Sequence, residues 1–407
     1  MIIFQLRDSG IRIVGLFSVI GAFFSACAGT VDKVGAPVIA SYTIVDVSEI
    51  GPRVLIDVIP LTDPNDAESV STYAQALSLF GREDLVAKMD AVYERQQCAV
   101  VSTGDALQRV VEETSDANIV IVSESHVITR HRAFIEDLAM ALKNEGWRYY
   151  AAEAFVNQAG YRDTDDYNLI ADVTAFPDEA FFRIRGGSYI AEAQFGRLGR
   201  TVKSSGYELS PYEDTLKPGE VRPEDPVLRV NERDGAQAQN LFDAVFRDDP
   251  DAKILIHVGL AHAAEAPIES ADGRQIKFLA ARLKEMLNED PLTINQHSCR
   301  ANSDDVAIST PDNSEGRFDL FVDHPADEFV RGRPLWRRAR GDVPLLVPQE
   351  LLAGRDCWRV IEARPVDEPD AAVPMDTVAV WKDQALDLLL PPGEYRLRVI
   401  TFNDISD

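Results

Sequence analysis

The chain lacks the short motifs that mark several large enzyme classes. None of the patterns G-x-S-x-G, H-E-x-x-H, G-x-x-x-x-G-K-[ST] or G-x-G-x-x-G occurs in its 407 residues. These patterns belong, respectively, to serine hydrolases with a nucleophile elbow, zinc proteases, nucleoside triphosphatases and dinucleotide-binding enzymes. Their absence argues against all four classes.

Positive charge is scarce as well. There are 41 Lys and Arg against 67 Asp and Glu, a formal net charge of −26. So acidic a surface repels phosphate groups, which argues against a nucleic-acid partner. The exception is the Arg-rich stretch 331–340. It is better explained as a solvated edge strand than as a patch for anionic lipid or glycan.

Cysteine is also rare, with four residues, Cys27, Cys98, Cys299 and Cys357. None has a C-x-x-C partner or a neighbouring histidine, so a metal-binding or catalytic role for them is disfavoured. In an oxidising compartment the last three could form one disulfide and leave one thiol. The sequence does not choose the pair.

No apolar run near the N-terminus is long enough to cross a membrane, which takes about 20 residues. The run at 13–24 follows Arg7 and Arg12 and is followed by small residues and Cys27, the pattern of an export signal. The end of this segment resembles the lipobox of bacterial lipoproteins. We therefore predict a signal peptide at 1–26 and lipidation of Cys27, which would tether the protein to a membrane of the bacterial cell envelope. The alternative is an ordinary cleaved signal with an incidental cysteine.

The middle of the chain predicts an α/β fold with a mostly parallel sheet flanked by helices, because strand-like and helix-like segments alternate there. The predicted strands begin at 118, 148, 207, 253 and 291. The predicted helices are 77–93, 104–113, 130–144, 188–204, 232–247 and 275–287, with Asn231 as the expected N-cap of the fifth.

These patterns divide the mature chain into three regions. Residues 27–75 are an N-terminal segment, 76–302 the α/β domain, and 303–407 a small C-terminal β-sandwich domain. The last region has no helical period and contains short strand-like runs at 318–322, 344–347, 357–363, 377–381 and 395–401. Its sequence L-P-P-G-E-Y, ending at Tyr395, is typical of a tyrosine corner.

Acids and histidines follow the apolar runs of three predicted strands. Glu124 and His126 end the first, Glu153 ends the second, and Gly259 and His262 follow the third. In an open α/β sheet, ligands bind just beyond the carboxyl ends of the strands. We therefore expect these side chains to meet in one crevice.

The residue types suit proton transfer or metal binding. Glu124 could orient His126 as a general base, or both could ligate a metal together with His262. Burial would raise the pKa of Glu153 and make it a general acid. His262 would stabilise the transition state or ligate the metal. His257, inside its strand, is interpreted as a core residue.

Five segments in this order resemble a superfamily that unites ChaN-like haem-binding lipoproteins, erythromycin esterases and Tiki/TraB-type metalloproteases. They are S-E-x-H at 123–126 with His131 following, Glu153, 206–213, 231–238 and 259–262. Ser123 replaces the usual Gly, and Gln237 stands where Met is common. The resemblance covers about residues 115–300.

The resemblance implies different chemistries in its different branches. The erythromycin esterase branch implies that His126 activates water without a metal, and the Tiki branch implies a divalent metal held by histidines and a glutamate. The ChaN branch implies haem or iron binding without catalysis, with Tyr189 or Tyr212 as the candidate ligand.

We expect a hydrolase acting on a small-molecule or peptide ligand. The alternatives are a haem- or iron-binding lipoprotein and a non-catalytic envelope protein. The side chains expected to contact the substrate are His131, Tyr189, Glu192, Glu213 and Arg233.

Overall fold

The computed structural model describes residues 36–49, 56–88, 96–155, 157, 179–184, 187, 189–214, 220–300, 305–311, 316–352, 357–382 and 384–402. The predicted signal peptide and the predicted lipidation of Cys27 lie outside these residues. None of the described helices is long and apolar enough to cross a membrane.

The described residues form nineteen strands and nine α-helices. The strands, β1 to β19 in chain order, are Val38–Asp46, Gln96–Thr103, Ile119–Glu124, Tyr149–Ala152, Glu208–Ser210, Ile254–Gly259, Ile268–Glu269, Gln275–Ile276, Leu292–Asn295, Cys299–Arg300, Ala307–Pro311, Leu320–Asp323, Phe329–Val330, Arg333–Pro334, Val343–Leu346, Trp358–Pro365, Asp376–Trp381, Asp387–Leu390 and Glu394–Thr401. The helices, α1 to α9, are Ala67–Thr72, Ala74–Leu79, Glu83–Val86, Ala106–Glu113, Thr129–Asn144, Ala193–Ser204, Pro226–Leu241, Leu279–Leu287 and Leu335–Ala339.

The largest sheet confirms the predicted α/β class. Its nine strands lie in the order β10-β2-β11-β12-β9-β3-β6-β4-β5. From β12 to β5 every neighbouring pair is parallel, and β11 runs antiparallel to both of its neighbours. All residues of β3, β4 and β6 are buried, as expected for parallel strands covered on both faces.

Successive side chains of the central strands point to opposite faces of this sheet, so each face has its own hydrophobic core. In β3, Val120 and Val122 pack on the side of α5 and α6, while Ile119 and Ile121 pack on the side of α7 and α8. The faces are closed by apolar residues of the helices. These are Phe134 and Leu138 of α5, Phe195 and Leu198 of α6, Ala238 and Leu241 of α7, and Leu279 and Leu283 of α8.

Two predicted helix boundaries are corrected. The helix predicted over 77–93 is replaced, within the described residues, by α2 and α3, which are separated by Gly81 at φ 72°. Helix α7 begins at Pro226, earlier than predicted, because Asp225 caps it and proline suits a first helical position. Asn231 therefore lies inside α7, and its side-chain amide donates to the carbonyl of Val227.

The predicted boundary at 303 does not separate two sheets. Strands β11 and β12, which were predicted to belong to the C-terminal domain, complete the large sheet, where β12 pairs with β9 and β11 pairs with β2. The N-terminal strand β1 pairs instead with the last strand, β19. Such pairings join distant parts of the chain, so the local pattern of a short strand does not reveal its sheet.

Three C-terminal strands and the N-terminal strand β1 form a four-stranded sheet in the order β1-β19-β16-β17. Two further C-terminal strands, β15 and β18, form a separate pair. The predicted β-sandwich stays a prediction. The expected tyrosine corner is present, because the Tyr395 hydroxyl donates to the carbonyl of Pro391 at 2.9 Å.

The disulfide that the sequence left open joins Cys98 of β2 to Cys299 of β10. Cys357 is a free thiol. The bridge links residues that are 201 positions apart, so it closes a large loop of the chain.

Candidate active site

Three strand ends meet where the sequence predicts a crevice. Glu124, the last residue of β3, pairs with Gly259, the last residue of β6. Glu153 directly follows β4, and its backbone N–H donates to the carbonyl of His257 in β6 at 2.9 Å. The structure thus brings Glu124, His126, Glu153 and His262 to one edge of the sheet.

Glu124 is a fully buried carboxylate with three cationic or imidazole neighbours. Arg132 of α5 donates to both of its oxygens, at 2.7 and 2.8 Å. His126 Nδ1 lies 2.8 Å from Oε1, and His257 Nε2 lies 3.0 Å from Oε2. Burial alone would raise the pKa of the Glu124 carboxyl, but Arg132 and His257, with a hydrogen bond from His126, hold it well below its usual range.

His126 is oriented so that one ring nitrogen faces the crevice. Its Nδ1 donates to the ionised Glu124, which fixes the tautomer and leaves Nε2 as an acceptor. The ring packs against Tyr189 at a centroid distance of 4.2 Å, yet 25% of the side chain is exposed. A β-carbon at Gly259 would lie 2.7 Å from His126 Nε2. Glycine at 259 therefore permits the backbone to approach the His126 ring closely.

Glu153 does not have the raised pKa that the sequence predicts. Its Oε1 accepts from Arg233 at 2.6 Å and its Oε2 from the backbone N–H of Gly259 at 2.7 Å. Although burial favours the neutral acid, the charges of His262, Arg233 and His126 lower the pKa of Glu153 to about 2. The predicted raised pKa of Glu153 is therefore wrong, and its carboxylate is held ionised.

His262 forms a second histidine–carboxylate pair. Its Nδ1 lies 2.7 Å from Oδ1 of Asp234, which is fully buried in α7. Its Nε2 lies 3.7 Å from Glu153 and 3.3 Å from Arg233. Burial and Arg233 lower the pKa of His262, but the hydrogen bond to Asp234 and the charges of Glu153 and Asp234 outweigh them and raise it. The protonated ring faces Glu153, and the neutral ring can accept from Arg233.

Arg233 connects the acids on this side of the crevice. Its Nη2 donates to both Glu153 and Glu213, at 2.6 and 2.5 Å, and its Nε donates to Glu213 at 2.9 Å. The side-chain amide of Gln237 also donates to Glu213, at 3.2 Å. Arg233 and Glu213 therefore lie beside the crevice, as expected from the sequence.

His257 is buried, as predicted, but it also contacts the site. Its Nδ1 lies 2.9 Å from the hydroxyl of Tyr150, while its Nε2 approaches Glu124 at 3.0 Å without the alignment of a hydrogen bond. Phe195 stacks on its ring at 5.3 Å. His257 thus extends the polar contacts of Glu124 into the core.

Two predicted substrate contacts have structural partners. His131 is fully buried, its Nδ1 accepts from the backbone N–H of Ser125, and its ring lies 5.1 Å from that of His324. Glu192 caps α6 by accepting from its first backbone N–H groups, and it also accepts from Arg132. The structure does not support substrate contact by either residue.

The residues present do not fit a divalent metal. Among the described residues, no group of three or more His, Cys, Asp or Glu is arranged to hold a metal ion. Both oxygens of Glu124 are bound by Arg132, and a second guanidinium, of Arg233, lies against Glu153. These cations occupy the carboxylates that a metal would need, so we derive no step through a metal.

Of the two tyrosines proposed as haem ligands, Tyr212 is poorly placed for that role. It is fully buried, and its hydroxyl donates to the carbonyl of His257, whereas an axial ligand needs an accessible oxygen. Tyr189 is 8% exposed and packs against His126, and its role as a ligand stays a prediction.

The sequence analysis did not identify three further residues of the site, Arg132, Asp234 and Tyr150. The two charged residues each interrupt an apolar pattern. Arg132 lies on the buried face of α5 with Ile135 and Leu138, and Asp234 lies on the buried face of α7 with Ala238 and Leu241. A charged residue on the apolar stripe of a helix is the signal that could have identified both, because such a residue is rarely buried without a partner.

No family model matches the chain, and no curated protein matches it. Solved structures resemble it only weakly. The type III effector HopBA1 is 14% identical, with a TM-score of 0.34 over 59% of this chain and 100% of its own. A protein from Bacillus cereus is 10% identical, with a TM-score of 0.36 over 78% of this chain and 98% of its own.

An erythromycin esterase is also among these structures. It is 12% identical, with a TM-score of 0.16 over 79% of this chain and 65% of its own. The chain spans about half the length (47% of each) of two matched bacterial protein toxins. These similarities are too slight to assign a function.

Proposed function

We propose that this protein is an exported, membrane-tethered hydrolase that uses His126 to activate water without a metal, on an ester of a small molecule or peptide. One observation carries the proposal. Two histidine–carboxylate pairs, Glu124–His126 and Asp234–His262, lie on either side of the ionised Glu153, whose pKa both histidines lower. One pair is suited to accept a proton and the other to supply positive charge.

His126 is the general base of the proposed reaction. Its Nε2 takes a proton from water while the water oxygen adds to the ester carbonyl carbon. The carbon–oxygen bond to the leaving alcohol then breaks, and the proton on His126 passes to the alcohol oxygen. Glu124 keeps the ring in the required tautomer and stabilises its protonated form.

His262 and Arg233 supply the positive charge for the oxygen that becomes negative when water adds. Both lie beside the ionised Glu153, with His262 Nε2 3.7 Å and Arg233 Nη2 2.6 Å from its Oε1. Because Glu153 and Asp234 hold the two cations in place before the substrate arrives, little reorganisation is needed during the reaction. Glu153 thus has an electrostatic role in place of the predicted acid role.

The cell-envelope location is part of the proposal. The bridge between Cys98 and Cys299 suits an oxidising compartment, and the segment ending at Cys27 suits export and lipid anchoring. Among the three branches of the superfamily that the sequence resembles, the erythromycin esterase branch is the one that implies metal-free chemistry. The haem-binding and non-catalytic alternatives gain no support from the contacts described above.

The test is hydrolysis of p-nitrophenyl acetate by the full chain and by the variants His126→Ala and His262→Ala. General-base catalysis contributes about 10²- to 10⁴-fold, so we expect kcat/KM to fall at least about 100-fold for His126→Ala. His297→Ala is the matched control, because this partly buried histidine lies after β9, where its Nε2 contacts Asn295.

Thermal melting should show that all three variants are folded. Folded His126→Ala and His262→Ala proteins that hydrolyse the ester as fast as the His297→Ala control would refute the site. Loading the wild-type protein with Zn²⁺ or Mn²⁺ should not raise the rate, and a large stimulation would refute the metal-free mechanism.

A further inference from the structure

Leu260 has a backbone conformation that leucine rarely adopts. Among the described residues, four that are not glycine have positive φ: Leu260 at 33°, Asn288 and Arg331 at 51°, and Lys382 at 48°. Asn288 is the C-cap of α8, a common place for a left-handed asparagine. Arg331 lies in the tight turn between β13 and β14, and Lys382 lies in the turn after β17.

Leu260 has no such local reason. It follows Gly259 at the end of β6 and begins the short 3-10 helix that carries His262. Its side chain is 47% exposed, so burial in the core does not hold it in place. Strained residues of this kind cluster at ligand sites, where the conformation serves binding.

Leu260 is an exposed apolar residue in the short segment of chain that joins Gly259 to His262. The preceding residue, Gly259, is close enough to His126 that a β-carbon there would lie 2.7 Å from Nε2. Two residues further on, His262 contacts the edge of Phe278 at a centroid distance of 5.4 Å. On the other side, Tyr189 packs on His126. Apolar surface therefore borders a site whose centre is charged.

We infer that Leu260 is a specificity-determining residue that contacts an apolar group next to the bond being hydrolysed. The substrate class is then an ester with an aliphatic or aromatic acyl group rather than a small polar one. This inference rests on the proposed function for the reaction, but the binding contact itself can be measured without turnover.

The informative variant is Leu260→Asn, because asparagine tolerates positive φ and removes the apolar surface. Leu346→Asn is the matched control, since Leu346 is 52% exposed on β15, in the C-terminal part of the chain. The first measurement is kcat/KM for p-nitrophenyl acetate, butyrate and octanoate. We expect Leu260→Asn to lower the ratio of octanoate to acetate about tenfold, while Leu346→Asn leaves it unchanged.

The second measurement is the binding of 8-anilinonaphthalene-1-sulfonate, an apolar fluorescent probe, by titration. We expect one component of the probe-binding curve to have a Kd that rises at least fivefold in Leu260→Asn and does not rise in Leu346→Asn. If the esters are not cleaved but this component is found, the apolar contact stands and the hydrolase proposal fails. If chain-length preference and probe binding are both unchanged in Leu260→Asn, the inference is overturned.

Discussion

Each half of the crevice contains a histidine hydrogen-bonded to a buried carboxylate, but the charged neighbours of the two pairs differ. On the β3 side, Glu124 holds His126, but the carboxylate is shared with Arg132 and lies close to His257. On the α7 side, Asp234 holds His262, and the nearby guanidinium of Arg233 binds Glu153 and Glu213 instead.

The difference lies in which group the arginine neutralises. On the β3 side Arg132 binds both oxygens of Glu124, and the same carboxylate orients His126. On the α7 side the negative charges of Asp234 and Glu153 act on His262 and raise its pKa. In the proposed reaction, one histidine–carboxylate pair would therefore supply the base and the other the positive charge.

Removing the arginine of the β3 side should have the largest effect. Arg132→Met would leave the buried Glu124 without its bidentate partner, and breaking a buried ion pair costs about 3–5 kcal/mol. The measurement is the free energy of unfolding in urea. Arg148→Met is the control, because Arg148 is 53% exposed and solvent screens its ion pair with Glu208, so its loss should change stability little. Equal losses in the two variants would show that the Glu124 cluster is not a buried ion pair.

Displacing His126 from its position should abolish activity. Gly259→Ala would place a β-carbon 2.7 Å from His126 Nε2 and 3.0 Å from Glu153 Oε2, so at least one of these two groups would have to move. We expect kcat/KM for the ester to fall about 100-fold or more, since general-base catalysis by His126 would be lost. The control is Gly235→Ala in α7, where the nearest atom to a new β-carbon is the flexible end of Arg282 at 3.3 Å. Full activity in Gly259→Ala would mean that the reaction does not depend on the position of His126.

The sequence predicted the site better than it predicted the assembly of the sheets. The convergence of Glu124, Glu153 and His262 follows from a general property of parallel strands, so local patterns were sufficient. The contact of His257 with Glu124 could also have been predicted. Side chains two residues apart in a strand point to the same face, so His257 lies on the face of Leu255 and Glu124 on the face of Val122. Leu255 and Val122 belong to the same core, on the side of α5 and α6, so His257 and Glu124 both lie on that side.

The features that the sequence did not reveal have a common physical cause, because each depends on a partner from another part of the chain. They are the pairing of β12 with β9, the pairing of β1 with β19 and the low pKa of Glu153. Burial, which the sequence indicates, predicts a raised pKa for Glu153. The charges of Arg233 and His262, which only the fold brings near, reverse it.

The smallest expected effect is that of Asp234→Asn, which tests directly whether the carboxylate on the α7 side raises the pKa of its histidine. Asp234→Asn removes the charge that helps to raise the pKa of His262, while the amide oxygen can still accept from Nδ1. If the protonated ring is the active form, the rate falls as the pH rises through the pKa of His262. The variant should therefore lose activity at lower pH than the wild type. At a pH above both pKa values, its rate should be about tenfold lower for each unit by which the pKa drops.

The same change should be visible without a substrate, in an NMR titration of the His262 ring. A raised pKa in the folded state adds stability that is fully present below the unfolded value of about 6.5 and is lost as the pH rises through the folded value. Asp234→Asn should reduce that contribution. Control variants with Glu112→Gln, a solvent-exposed acid on α4, should titrate like the wild type. An unchanged His262 titration in Asp234→Asn would mean that the two halves do not differ in the way their carboxylates act, and the division into base and cation would fail.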